Sequence, residues 1–291
     1  MALHLGLESD ALRVLRGLKL QTRQRFRGAS HGERMARQRG VSIEFRDHRE
    51  YGEGDDLRHM DWNALARLDN AVIKTYRDEQ ETLVSLWVDQ SASMEFGNPP
   101  KVELARQLAC ALGIAALQGG DTVRVTVLGS TQPSATIRGI GQAGRMAALV
   151  TQPPVKRDSA LSTGMKSGLS ALPRPGAVII VSDGLDPDVA RLVTAIGGRR
   201  SEPFFVQVLA PEELDPDLEG DLRLVDSEGG GAREITANRT AVAQYRDNLQ
   251  AHIEGISAAA TRAGGRHVLV NSTQTAREVI QTAFIKQGWL R

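Results

Sequence analysis

One cysteine among 291 residues excludes a disulfide framework. That residue, Cys110, falls in an apolar helical run from Leu104 to Leu117, where a thiol is expected to be buried and unreactive. Aromatic side chains make up only 4% of the chain, and no window approaches the ~20 consecutive apolar residues of a spanning helix. The first ten residues, Met1 to Asp10, hold no basic stretch followed by a sustained apolar run, so no secretory signal is expected. An excess of one charge is missing too. With 36 Lys and Arg against 35 Asp and Glu, the formal net charge is +1, and no global field draws the chain to nucleic acid or anionic lipid. These absences describe a soluble protein of the reducing cytoplasm, large enough to fold without covalent staples.

What is present is a rhythm of short apolar runs and amphipathic stretches. Leu83 to Val88 is a mostly aliphatic run that stops in Asp89-Gln90-Ser91-Ala92-Ser93-Met94, the pattern of a buried strand whose C-terminal end opens into a site. Lys101 to Gln118 reads as a helix closed by Gly119-Gly120. Strands are expected at Asp121–Leu128, Ser134–Arg138 (an edge), Ala177–Val181, Phe204–Leu209 and Arg266–Val270. Helices are expected at Gln142–Val150, Ser159–Leu172, from Asp186 to Gly198, from Thr240 to Ala263, and at Thr275–Lys286. Residues 211–236 break this alternation and read as an appended β-hairpin around Ser227-Glu228-Gly229-Gly230-Gly231. Strand–helix alternation predicts an α/β fold, a doubly wound and mostly parallel sheet over 82–291.

Residues 1–81 are expected to form a separate N-terminal part. Leu12, Leu15, Leu18 and Leu20, set among Arg13, Arg16, Lys19, Arg23 and Arg25, predict a basic amphipathic helix over 10–25. From Arg27 to Glu81 charges of both signs are dense and apolar residues stand singly. Phe45, Tyr51, Trp62 and Tyr76 argue for an ordered, loop-rich segment held by Arg–carboxylate pairs. Asp61 is expected to cap a short helix, and Ala71 to Tyr76 alternates like an edge strand.

Asp89, Ser91 and Ser93 form a D-x-S-x-S pattern. Alternate positions of an extended loop point the same way, so three oxygens carrying one formal charge can converge on a hard divalent cation such as Mg²⁺. A second apolar strand ends in Asp183-Gly184, and a loop entering a helix supplies Asp158-Ser159, with Thr163 one turn further on. In order and placement these residues resemble the metal-ion-dependent adhesion site of the von Willebrand factor A domain. The resemblance implies Ser91 and Ser93 as direct ligands, with Asp89 and Asp183 holding coordinated waters. The remaining ligand of that family is usually Thr; the matching position here is Ser159, a departure that keeps the hydroxyl, with Thr163 as the second candidate.

The upstream segment resembles another family. Glu44-Phe45, Arg49-Glu50-Tyr51, Gly54-Asp55-Asp56-Leu57-Arg58, Asp61-Trp62-Asn63-Ala64, Ala66-Arg67, Lys74-Thr75-Tyr76 and Glu79 look like the signature of domain-of-unknown-function family 58, whose members pair it with a von Willebrand A-like domain. Many relatives carry membrane helices ahead of the signature, and this chain resembles the short soluble members. Membership implies association with MoxR-type AAA+ ATPases.

Other chemistries fit less well. Gly139-Ile140-Gly141-Gln142-Ala143-Gly144 matches a dinucleotide fingerprint, but the preceding Ser134 to Arg138 is too polar for a buried first strand, and no acidic residue closes a following strand at the expected distance. Asp89 as a phosphoryl-accepting nucleophile would want a second carboxylate where Ser91 stands. There is no G-x-S-x-G elbow, and the six histidines lack metal-ligand spacing. The expectation is a non-enzymatic, Mg-dependent interaction module that serves a MoxR-type ATPase or a client protein. The alternatives are nucleic-acid binding through Arg13, Arg16, Lys19, Arg23, Arg25 and Arg27, and a metal-dependent hydrolase.

Overall fold

The computed structural model describes residues 6–22, 44–52, 60–68, 71–77, 82–128, 130, 133–152, 161–217, 220–225 and 231–291. The chain divides into two compact units, 26–81 and the combination of 1–25 with 82–291. The expected division at 81 therefore needs a correction at the N-terminus. Helix α1 (Ser9–Leu15) buries Ala11 and Leu15 in the core of the larger unit, and Leu20 pairs with Leu290 in an isolated bridge. The helix is also shorter than its leucine spacing implied, because the chain turns extended at Arg16.

In the smaller unit, β1 (Glu44–Glu50) and β2 (Val72–Arg77) form a two-stranded antiparallel ladder, and α2 (Trp62–Leu68) lies between them in sequence. Asp61 caps α2 as expected, its Oδ1 accepting from the N–H groups of Asn63 and Ala64 at 3.0 and 3.1 Å. Strand β1 replaces what read as loop. Glu44-Phe45-Arg46-Asp47-His48-Arg49-Glu50 has no apolar alternation to announce a strand, so its pairing is set by the partner.

The larger unit continues through β3 (Leu83–Asp89), α3 (Lys101–Gln118), β4 (Thr122–Leu128), β5 (Ala135–Arg138), α4 (Ala143–Thr151), α5 (Leu161–Ser170), β6 (Ala177–Ser182) and α6 (Val189–Gly198). Then come β7 (Glu202–Leu209), α7 (Pro211–Leu214), β8 (Gly220–Val225), β9 (Ala232–Ala237), α8 (Arg239–Arg262), β10 (Arg266–Asn271) and α9 (Ala276–Val279). Six strands form one sheet in the order β10-β7-β6-β3-β4-β5, all parallel except the edge strand β5. Strands β8 and β9 pair antiparallel as a separate ladder.

Burial on both faces explains the unbroken apolar runs. Val84, Leu86 and Val88 of β3, with Ile179 and Val181 of β6 and Phe204, Val206 and Val208 of β7, join α1, α3, α4 and α9 in one core. The alternate residues Trp87, Val178, Ile180 and Phe205 join α5, α6 and α8 in the other. Cys110 lies in the first core, and burial pushes its thiol up to about 12, so it stays protonated as expected.

Two helices differ from expectation. Helix α6 starts at Val189 rather than Asp186: Asp186 leads a turn into it, its carbonyl accepting from the Val189 N–H at 3.1 Å and its side chain from the N–H groups of Asp188 and Ser162 at 2.9 Å each. The last helix forms only four α-helical residues behind a Thr275–Glu278 capping box, then widens into π-helix over Ile280–Ile285.

Candidate metal centre

The sheet order fixes where a site belongs. From β3 the chain winds outward through β4 and β5, then crosses back to place β6 on the other side of β3. The crevice beyond the carboxyl ends of β3 and β6 is thus the topological switch point, where ligands bind in open α/β sheets. Asp89 is the last residue of β3, and Asp183 follows the last residue of β6.

Asp89 is buried and held at both oxygens. Its Oδ1 accepts from the Ser91 N–H at 2.9 Å and its Oδ2 from the Ser182 hydroxyl at 2.6 Å. Ser91 and Ser93 place their hydroxyl oxygens 2.9 Å apart, so the side chains of the D-x-S-x-S loop converge. Burial, and then the nearby Asp183 carboxylate, push the Asp89 carboxyl up to about 6, against the pull of its Ser182 and Ser91 hydrogen bonds.

Asp183 is buried as well. The Leu185 N–H donates to its Oδ1 at 3.2 Å, and the Gln207 side-chain amide donates to its carbonyl at 2.8 Å. Gly184 next to it sits at φ +67°, and an added Cβ would crowd Phe205 and Ile256 at 3.1 and 3.2 Å, so both backbone and space demand glycine. His252 of α8 lies with Nε2 2.6 Å from the Gly184 carbonyl, to which it donates.

Sequence reasoning missed the cation of this site. Lys101, at the first position of α3, is fully buried, and its ammonium lies 2.9 Å from Asp183 Oδ2 and 2.5 Å from Glu213 Oε1 of α7. Glu213 also accepts from the Ala210 N–H through Oε2 at 2.8 Å, and burial raises its carboxyl above the usual range despite the Lys101 ammonium. A signal existed: apolar residues surround helix 101–118 almost completely, so a charge at its start needs a buried partner.

Asp158 and Ser159 lie outside the described residues. Thr163, the second candidate, is in the first turn of α5 with its side chain exposed. No group of three or more His, Cys, Asp or Glu side chains converges among the described residues. The assembled donors are instead two carboxylates and two hydroxyls, Asp89, Asp183, Ser91 and Ser93. This hard, oxygen-only set, in which two buried carboxylates repel one another, fits Mg²⁺ or Ca²⁺ better than a softer metal.

A family model described as "Protein of unknown function DUF58" matches residues 47–255. The chain belongs to the DUF58 family. Among curated proteins similar to this DUF58 chain are uncharacterized proteins Mb1516 of Mycobacterium bovis and Rv1480 of Mycobacterium tuberculosis. Each is 29% identical over 264 residues, covering 84% of this chain and 82% of the relative. Solved structures similar to this DUF58 chain include the conserved hypothetical protein BatB of Bacteroides thetaiotaomicron, at 19% identity and a TM-score of 0.44, covering 71% of this chain and 98% of that one. A second is an aerotolerance-related membrane protein of Bacteroides fragilis, at 18% identity and a TM-score of 0.41, covering 70% and 99%. No helix among the described residues of this chain is long and apolar enough to cross a membrane.

A hydrogen-bond relay behind the site yields a pH prediction. His267 of β10 lies with Nε2 3.0 Å from Gln207 Oε1, and Gln207 in turn supports Asp183. Burial pushes the His267 imidazole down to about 4. The unfolded chain takes up this proton first, so stability is full above the ordinary histidine range and is lost as pH falls toward 4. His267→Gln is expected to remove ~1 kcal/mol of the stability lost between pH 6 and 5, read as a flatter plot of urea midpoint against pH.

Proposed function

We propose that this protein is a non-catalytic, metal-dependent protein-interaction module with a von Willebrand A-type adhesion site, serving as an adaptor for a MoxR-type AAA+ ATPase or its client. The observation that carries the reading is the convergence of Asp89, Ser91, Ser93 and Asp183 at the switch point of the sheet. The MoxR partnership rests on the family resemblance of residues 44–79.

A divalent ion bound there supplies an electrophilic centre for a partner's carboxylate. The chain's own residues prepare the place for it. Ser182 and the Ser91 N–H hold Asp89, Gln207 and the Leu185 N–H hold Asp183, and the two serine hydroxyls add donors without neutralising charge. Ser159 completes the proposed ligand set, with Thr163 as the alternative. Neutral hydroxyls leave more of the ion's charge for a partner Asp or Glu.

Ser91→Ala with Ser93→Ala is expected to abolish Mg²⁺-dependent retention of the cognate ATPase while leaving the circular dichroism spectrum and thermal midpoint in chelator unchanged. Equal retention by wild type and variant, with and without chelator, refutes the reading.

A further inference from the structure

Lys101 brings the protein's own cation against the candidate metal centre. The ammonium is buried completely, and among the described residues the charges that meet it are an anion of the site and its neighbour. Asp183 Oδ2 lies at 2.9 Å and Glu213 Oε1 at 2.5 Å. The Phe96 ring, whose centroid is 5.9 Å from the ammonium, closes another side. A cation in contact with a ligand oxygen opposes a second cation drawn to the same carboxylate, and burial weakens the screening between them.

We infer that Lys101 is a built-in competitor of the divalent ion, holding Asp183 in the metal-free protein, and that Glu213 sets the strength of this competition by drawing the ammonium toward α7. The inference rests on the metal-dependent reading of the site and deepens it.

Glu213 gives the competition a mechanical output. One carboxylate oxygen holds Lys101 while the other holds the Ala210 N–H at the start of α7. The far side of α7 is tied to α8, through the Tyr245 hydroxyl donating to the Glu213 carbonyl at 2.9 Å and through the Arg246–Asp215 ion pair. Behind the loop, Gly97 at φ +97° brings its backbone so close to Ala210 that an added Cβ would sit 2.8 Å from the Ala210 Cβ. The metal loop, Lys101 and α7 therefore form one packed contact chain. By linkage, whatever α7 does to metal affinity, metal does to α7.

The two partners of Lys101 predict opposite effects. Lys101→Met removes the competing charge, so Mg²⁺ and Mn²⁺ are expected to bind roughly tenfold more tightly or better. Glu213→Gln leaves Lys101 to Asp183 alone, so both ions are expected to bind several-fold more weakly. A merely structural role for the pair would weaken binding in both variants.

The experiment is calorimetric titration of the full chain with Mg²⁺, and Mn²⁺ binding by electron paramagnetic resonance, for wild type and both variants. Amide hydrogen exchange over 210–215, with and without Mg²⁺, reads the coupling to α7. Tighter binding in Lys101→Met, weaker binding in Glu213→Gln and a Mg²⁺-dependent change in exchange over 210–215 support the inference. Wild-type binding with either variant unchanged, or with both weakened, overturns it and leaves the metal-dependent reading intact. Absence of binding in wild type with binding in Lys101→Met overturns the metal-loaded reading and supports the competitor. Absence in both overturns both. If Lys101→Met fails to fold, Lys101→Gln, which also removes the charge, takes its place: tighter binding of both ions supports the inference and unchanged or weaker binding overturns it.

Discussion

Replacing Lys101 by Met is expected to destabilise the metal-free protein by about 3–5 kcal/mol, the cost typical of leaving a buried charge without its partner. The expectation follows from the position of the ammonium. Lys101 is completely buried, and its removal leaves Asp183, also buried, and Glu213 facing one another without a cation between them. Methionine fills nearly the same volume, so little of the loss comes from a cavity. Urea unfolding in chelator measures the effect. Addition of Glu213→Gln is expected to return part of the stability, since it deletes one of the two stranded anions. A midpoint unchanged by Lys101→Met would mean that the ammonium reaches water and that Asp183 and Glu213 do not depend on it.

The route by which this lysine stayed hidden shows what a single sequence does and does not reveal about the fold. Strands β3, β6 and β7 were legible because a parallel strand covered on both faces is apolar at nearly every position, and their apolar residues divide alternately between the two cores. Helix α3 was legible for a related reason, its small and aliphatic residues being buried nearly all round. Asp89, Ser91, Ser93 and Asp183 could be picked out because the apolar runs stop at them, and a switch point brings strand ends together.

Contacts without local periodicity left no such trace. Lys101 meets residues 82 and 112 positions away, and Pro211-Glu212-Glu213-Leu214, expected to belong to the appended hairpin of 211–236, forms helix α7 instead. Strand β1 is hidden in the same way: its sequence is mostly charged, and its register with β2 pairs segments distant in the chain. The N-terminal leucines revealed an amphipathic helix but not which body it would bury them in; burial of Ala11, Leu15 and Leu20 answers that.

Stability and metal binding should trade against each other at Asp89. Burial and the Asp183 carboxylate raise its carboxyl from 3.8 to about 6. The folded protein thus holds this proton more tightly than the unfolded chain does. The associated stability is full below the unfolded value and is lost as pH rises through 6. At ~1.4 kcal/mol per tenfold change in acidity, the ionised carboxylate costs the metal-free fold about 3 kcal/mol. Asparagine carries no such charge. Its carbonyl can still accept from the Ser91 N–H, and its amide can donate to the Ser182 hydroxyl oxygen. Asp89→Asn is therefore expected to raise stability in chelator at pH 8 by about 2–3 kcal/mol and to eliminate the rise in thermal midpoint produced by Mg²⁺. A purely structural Asp89, kept for its two hydrogen bonds, would give the reverse, a loss in chelator with the response to Mg²⁺ unchanged. On the proposed metal-dependent reading, a carboxylate that weakens the empty fold and serves the ion is what a site completed from outside requires.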